Sequence, residues 1–179
     1  FSGHIPMMSL PLVLGLDNPE APYHHRYLSA SPNDIHHWSA RLGEKKHPRI
    51  GLAWSGSKGH KNNRNRSIPF DLMKSLLGLP FEFHSLQKEI SVEDLEAAKG
   101  LSNFHTHQEE LADFTDTAAL IELMDLVISV DTSVAHLSGA LGKTTWVLIP
   151  ANPDFRWLLN RDDSPWYASM TLFRQKELK

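Results

Sequence analysis

Short strand-like stretches alternate along the chain with segments whose apolar positions recur every three or four residues. The expected strands are Arg49–Trp54, Phe81–Leu86, Asn103–His107, Val127–Val130 and Thr144–Ile149, with a weaker one over Met170–Phe173. A further short strand is expected around Leu12-Val13-Leu14. Ser31-Pro32-Asn33-Asp34 opens a helix that runs through Trp38 to Leu42, where Gly43 ends it. Ile68-Pro69-Phe70-Asp71 opens a second helix, with Leu72, Leu76 and Leu77 turned inward. A polar helix spans Ser91–Lys99, and Asp116-Thr117 is expected to cap one reaching Met124. Strands separated by helices predict a parallel sheet covered on both faces. The expected fold class is therefore α/β, a Rossmann-like doubly wound sheet.

The strongest local signal is the run Val127 to Lys143. Four residues suited to a buried strand meet a polar corner, Asp131-Thr132-Ser133, and about ten residues of helical pattern follow to Gly142. A strand that turns directly into a helix aims the helix's free N–H groups at the carboxyl edge of the sheet. Open α/β sheets bind their ligands at that edge. Thr132 and Ser133 supply a cap and two hydroxyls, and His136, one turn later, can project to the same mouth.

Residues 1–30 are a proline-punctuated mixture of short apolar patches and turns, read as the remnant of a preceding domain and its linker. The start Phe1-Ser2-Gly3-His4 has no methionine, which suggests a piece of something larger. Residues 31–179 form the α/β domain. Composition adds little to this division. With 41% hydrophobic and 22% charged residues the chain is of ordinary globular type. A net charge of -3 offers no electrostatic case for nucleic acid or an anionic membrane. The absence of cysteine excludes disulfides and thiolate metal sites. No apolar run approaches the roughly 20 residues of a membrane span.

The polar-rich segments all follow strands and so share one rim: 55–67, Gln87-Lys88, 107–116, 131–133 and 151–156. The first is the most cationic part of the chain, with Lys58, Lys61, Arg64 and Arg66 available to phosphate, and two glycines allowing close backbone approach. It is neither a P-loop nor a dinucleotide fingerprint, since neither glycine pattern is present. Set beside the 131–133 helix start, a diphosphate site is the better account. His24-His25, His36-His37 and His105-x-His107 lack a third ligand at metal spacing and read as surface or packing residues. Trp146, Phe155, Trp157, Trp166 and Tyr167 read as packing rather than a base-stacking platform. No nucleophile triad and no carboxylate pair with acid/base spacing stands out.

The segment "VISVDTSVAHLSGALGK", preceded by "DTAALIELMD", resembles the donor-binding half of GT-B glycosyltransferases. It is most similar to the ADP-heptose:lipopolysaccharide heptosyltransferases and their tetratricopeptide-repeat-fused relatives. The family motif is Asp-Thr-Gly-x-x-His. Asp131, Thr132 and His136 match it, and Ser133 stands where the family has glycine, which narrows the room for a phosphate. The loop "GLAWSGSKGHKNNRNRSIP" is similar to the family's first C-domain loop, with Ser55 and Gly56 at the hydroxyl positions and Arg66 where the family has lysine.

The resemblance implies a site in which Ser55, Gly56, Lys61, Arg64, Arg66, Asp131, Thr132, Ser133 and His136 meet the donor diphosphate. Gln87, Lys88, Asp116 and Thr117 then face the nucleoside or sugar. It implies a nucleotide-diphosphate sugar as substrate, no metal and no cofactor. It also implies a cytoplasmic location, and a missing N-terminal half, with or without tetratricopeptide repeats, that supplies the catalytic base. By that account the chain alone is inactive. The rivals are one half of a sugar-nucleotide epimerase and a domain that binds a nucleotide or a protein partner without turnover.

Overall fold

The computed structural model describes residues 3–6, 9–15, 26–57, 59 and 61–176. Six strands form one all-parallel sheet: β1 Arg49–Ala53, β2 Glu82–Ser85, β3 Phe104–His105, β4 Leu126–Val130, β5 Thr145–Ile149 and β6 Met170–Arg174. Their order across the sheet is β3-β2-β1-β4-β5-β6. The chain winds outward from β1 to β3, returns, and winds the other way from β4, so the order reverses between β1 and β4. A crevice opens at such a switch point because the two neighbouring crossovers leave on opposite faces. This is the Rossmann-like, doubly wound architecture.

The helices are α1 Leu10–Val13, α2 Pro32–Leu42, α3 Asn63–Arg66, α4 Phe70–Leu77, α5 Val92–Ala98, α6 Phe114–Glu122 and α7 Ser133–Ala140. One face of the sheet meets α2, α6 and α7 through Trp38, Leu86, Leu120, Ile121, Val127 and Val134. The other meets α4 and α5 through Leu52, Trp54, Phe70, Met73, Phe83 and Phe104. A third cluster, with Trp157 fully buried, joins Ala135 of α7 to Val147, Ile149, Met170 and Leu172. Because every residue of β1 is buried, that strand carries apolar side chains toward both layers. Gly43 and Gly142 end α2 and the α7 segment at φ 72° and 70°, a conformation in which other residues are strained.

Several expectations are corrected. The strand around Leu12 to Leu14 is the short helix α1 instead, with a proline in its first turn. Leu72 does not turn inward. Since α4 begins at Phe70, the periodic row is Phe70, Met73 and Leu77, and Leu72 is 64% exposed. The cap of α6 is Asp113, three residues before Asp116-Thr117, because the Asp113 carboxylate accepts the N–H of Thr115 at 2.7 Å. β3 is only two residues long, and the cationic loop is broken by α3. Of the aromatics expected to pack, Phe155 is largely exposed and Trp146 is 40% exposed, whereas Trp157 is core.

Of the expected remnant and linker, residues 16–25 lie outside the described residues, as do His24 and His25. Residues 26–28 lie along α7, where Tyr27 and Leu28 donate backbone N–H groups to the Ala140 carbonyl. Among the described residues no helix is long and apolar enough to cross a membrane.

Candidate functional site

A cleft of about 600 Å³ lies at the carboxyl ends of β2, β1 and β4, at the switch point of the sheet. One wall is the loop 55–57 with Arg66, the opposite wall is 112–114, the floor includes Leu86 and Thr117, and Thr132 to Val134 close one end.

Gln87 builds the first wall. It is buried, and its Oε1 accepts the N–H groups of Trp54 (2.6 Å) and Ser55 (2.8 Å). Its Nε2 donates to Ser55 Oγ (3.1 Å) and the Glu89 carbonyl (3.2 Å). Donors and acceptor are thus engaged within the protein, and the side chain shapes the loop. Gly56 comes next, its N–H given to Asn63 Oδ1 at 3.0 Å. A Cβ at Gly56 would lie 2.3 Å from Arg66 Nη2, so the missing side chain is what lets the guanidinium lie against the backbone. Asn63 Oδ1 also takes Ser67 Oγ at 3.2 Å and Arg66 Nε at 3.4 Å. Asn63 is a hub that sequence reasoning missed, because nothing local distinguishes it from Asn62 or Asn65.

Arg66 Nη1 donates to the carbonyl oxygen of Asp131 at 2.6 Å, so the guanidinium spans the gap between the loop and the entry of α7. No side chain caps α7. The Thr132 hydroxyl instead turns inward to Ser129 Oγ at 3.1 Å, and Thr132 is buried. The first-turn N–H groups of the helix are therefore left for whatever occupies the cleft. Ser133, exposed, stands at their head. The Asp131 carboxylate faces His136 Nε2 at 3.8 Å.

His136 does not line the cleft. Its ring stacks on Trp157 (centroids 5.1 Å, 17°), and Nδ1 lies 3.2 Å from the Tyr167 hydroxyl. Burial lowers its pKa against the partly opposing charge of Asp131. Lys61 and Arg64 are exposed and are not among the residues lining the cleft, and Lys58 lies outside the described residues. Lys88 does line the cleft, with its ammonium bonded to the Ala112 carbonyl of the opposite wall. Asp116 is turned back: its carboxylate accepts the Ala112 N–H (3.0 Å) and Trp38 Nε1 (3.3 Å). Thr117 contributes to the floor while its hydroxyl donates to the Asp113 carbonyl at 3.1 Å. Asp113 and the 60% exposed Phe114 complete the wall, and neither was singled out by sequence. A cap set three residues earlier would have found both. Hydrogen bonds from Thr115 hold the Asp113 carboxylate ionised to lower pH than usual.

His84 of β2, His105 of β3 and His107 just beyond it form a stack outside the cleft. His84 Nδ1 and His107 Nε2 are 3.1 Å apart, and His105 stacks on His84 at 5.0 Å. Burial keeps the inner rings neutral, pushing His84 down to about 3 and lowering His107. Among the described residues no group of three side chains is arranged to hold a metal.

No protein-family model matches the chain. It is similar to Protein FlbA of Caulobacter vibrioides, 30% identical over 158 residues, which are 85% of this chain and 26% of that protein. Among solved structures it is similar to the ADP-heptose lps heptosyltransferase II of E. coli, with a TM-score of 0.58 and 18% identity over 86% of this chain and 46% of that one. At that identity the likeness is one of fold. The chain matches one half of a GT-B architecture and spans about a quarter of the curated relative.

Proposed function

We propose that the cleft binds the diphosphate of a nucleotide sugar, and that the chain is the donor-binding half of a glycosyltransferase. One observation carries the reading: an uncapped helix start and a guanidinium bonded at its entry lie side by side in a cleft at the switch point. Amide N–H groups at a helix start and a planar cation are the donors that a diphosphate can use together. Such groups stabilise negative charge as it develops on a departing nucleotide. Ser55, Gly56, Arg66, Ser133 and the α7 amides are assigned to the diphosphate. Lys88, Thr117 and Phe114 are assigned to the nucleoside or sugar. Thr132 and Gln87 act by shaping the walls, and His136 by supporting Asp131 and the far side of α7.

The fold likeness to a heptosyltransferase agrees with this reading, as does the resemblance of the 127–143 segment. A second domain, with or without tetratricopeptide repeats, completes the enzyme and brings the acceptor and the base.

Titration calorimetry with ADP, UDP, GDP and the three monophosphates tests the reading. Diphosphates are expected to bind more tightly. Equal, millimolar-weak binding of all six would remove the diphosphate site.

A further inference from the structure

We infer that the open half of the sheet, over β5 and β6, is the docking surface for an acidic amphipathic helix of a partner protein. Helices α4 and α5 cover β1 to β3 and Ile128 of β4, and the cluster they form ends at the half-buried Leu148 of β5, short of Trp146 and Phe173. On the same face the residues pointing outward are Trp146 and Leu148 of β5 and Thr171 and Phe173 of β6. Trp146 is 40% exposed and Phe173 45%, and their rings pack together at 5.2 Å. Alternation would place polar residues here if the face met only water. An exposed apolar row beside a groove marks an interaction surface.

The groove, about 850 Å³, runs from Phe173 and Leu148 to Leu72 of α4. Its charged lining residues are Arg64, Arg66 and Arg174, all cationic. Among the described residues none of the three has a carboxylate partner. An apolar floor under an uncompensated cationic rim fits an apolar stripe flanked by Asp or Glu.

The edge of the sheet decides between a helix and an added strand. β6 is already shielded on its outer side: Leu172 N–H donates to the Asp162 carbonyl at 2.6 Å, Asp163 bridges Thr171, and Arg174 Nε donates to the Arg161 carbonyl at 2.7 Å. The 161–163 segment already lies along the outer edge of β6 and takes its central N–H, which obstructs an added strand there, so the occupant lies on the face. A helix of ~12 residues spans about the length of a five-residue strand. A second copy of this chain would set arginines against arginines. A bilayer would meet a concave surface, which a helix fills and a flat interface does not.

The test titrates the isotope-labelled chain with two ~14-residue helical peptides sharing one leucine stripe, one flanked by glutamate and the other by lysine. The glutamate peptide is expected to shift the Trp146 indole N–H and the Thr171 and Phe173 amides, and to bind about tenfold more tightly than the lysine peptide. Phe173→Ser, a change at an exposed position, is expected to remove that binding. Unmoved signals, or equal binding of the two peptides, would overturn the inference. So would a concentration-dependent dimer that buries Trp146, or a Trp146 response to phosphatidylglycerol vesicles in place of the acidic peptide.

Discussion

Arg66 donates a 2.6 Å hydrogen bond to the backbone carbonyl of Asp131, 65 residues further along the chain. The bond ties the cationic loop after β1 to the helix start after β4, the two parts that the proposed diphosphate site needs together. Its donor is a side chain with N–H groups to spare, so Arg66 can hold the corner and still offer donors to a ligand.

Arg66→Ala is expected to weaken nucleoside diphosphate binding about ten- to a hundred-fold, the value of a charge-assisted contact of roughly 1.5–3 kcal/mol. The lost bond to Asp131 adds a stability cost of about 1 kcal/mol, or roughly 2–4 °C in Tm for a chain of this size. Calorimetric titration and thermal melting measure the two effects. Undiminished affinity would shift the phosphate contact to another cation.

Gly56→Ala separates binding from stability. The new methyl falls on the far end of Arg66, which can swing away, and lies 2.9 Å from Asn63 Oδ1, while the backbone at Gly56 has no positive φ to strain. The expected result is a loss of diphosphate affinity close to that of Arg66→Ala, with the larger part of the melting temperature retained. An alanine variant that binds as the parent does would show that the guanidinium position is unimportant.

Gln87→Leu is expected to destabilise the chain by about 2–4 kcal/mol, since the N–H groups of the buried Trp54 and the half-buried Ser55 both lose their acceptor. Urea midpoints at constant slope would give the value. A cost below about 0.5 kcal/mol, the range of a surface change, would mean the side chain is not the anchor of the loop.

Stability should fall as pH drops below the ordinary histidine value of about 6.5. His84 is held neutral by burial down to about 3, and His107 and His136 are lowered for the same first cause. Between those limits the unfolded chain binds protons that the folded chain does not, so unfolding gains by at most about 1.4 kcal/mol per pH unit per histidine. His84→Asn is expected to flatten the slope of unfolding free energy between pH 6 and 4.5, limits taken roughly from the same window. An unchanged slope would show that His84 titrates normally in the fold.

The 179-residue chain by itself is expected to bind a nucleotide sugar without multiple-turnover transfer. Transfer requires donor and acceptor held in one closed cleft, and this domain supplies one wall of it. Following diphosphate release, with and without a polypeptide carrying the second domain, checks this. Repeated transfer by the chain alone would overturn the two-half reading.

Read from the sequence, periodicity determined the existence and type of the six sheet strands, the parallel fold class and the rim on which the polar loops converge. These depend on local pattern: which residues alternate, recur every 3.6, or break the chain. The strand–corner–helix at 127–142 was legible for the same reason. What only the tertiary structure decided is where each polar group finds its partner. Thr132 and His136 are one turn apart on a helix start, yet one turns to Ser129 and the other to Trp157 and Tyr167. Gln87 is polar and follows a strand, as a ligand contact would, but its buried amide is spent on the neighbouring loop. The same limit hid the open face. The alternation of β5 and β6 shows that Trp146 and Phe173 share a side, but not that α4 and α5 stop short of covering it. A pattern of period two or 3.6 assigns a residue to a face, whereas what that face meets is set by the order in which distant strands pair.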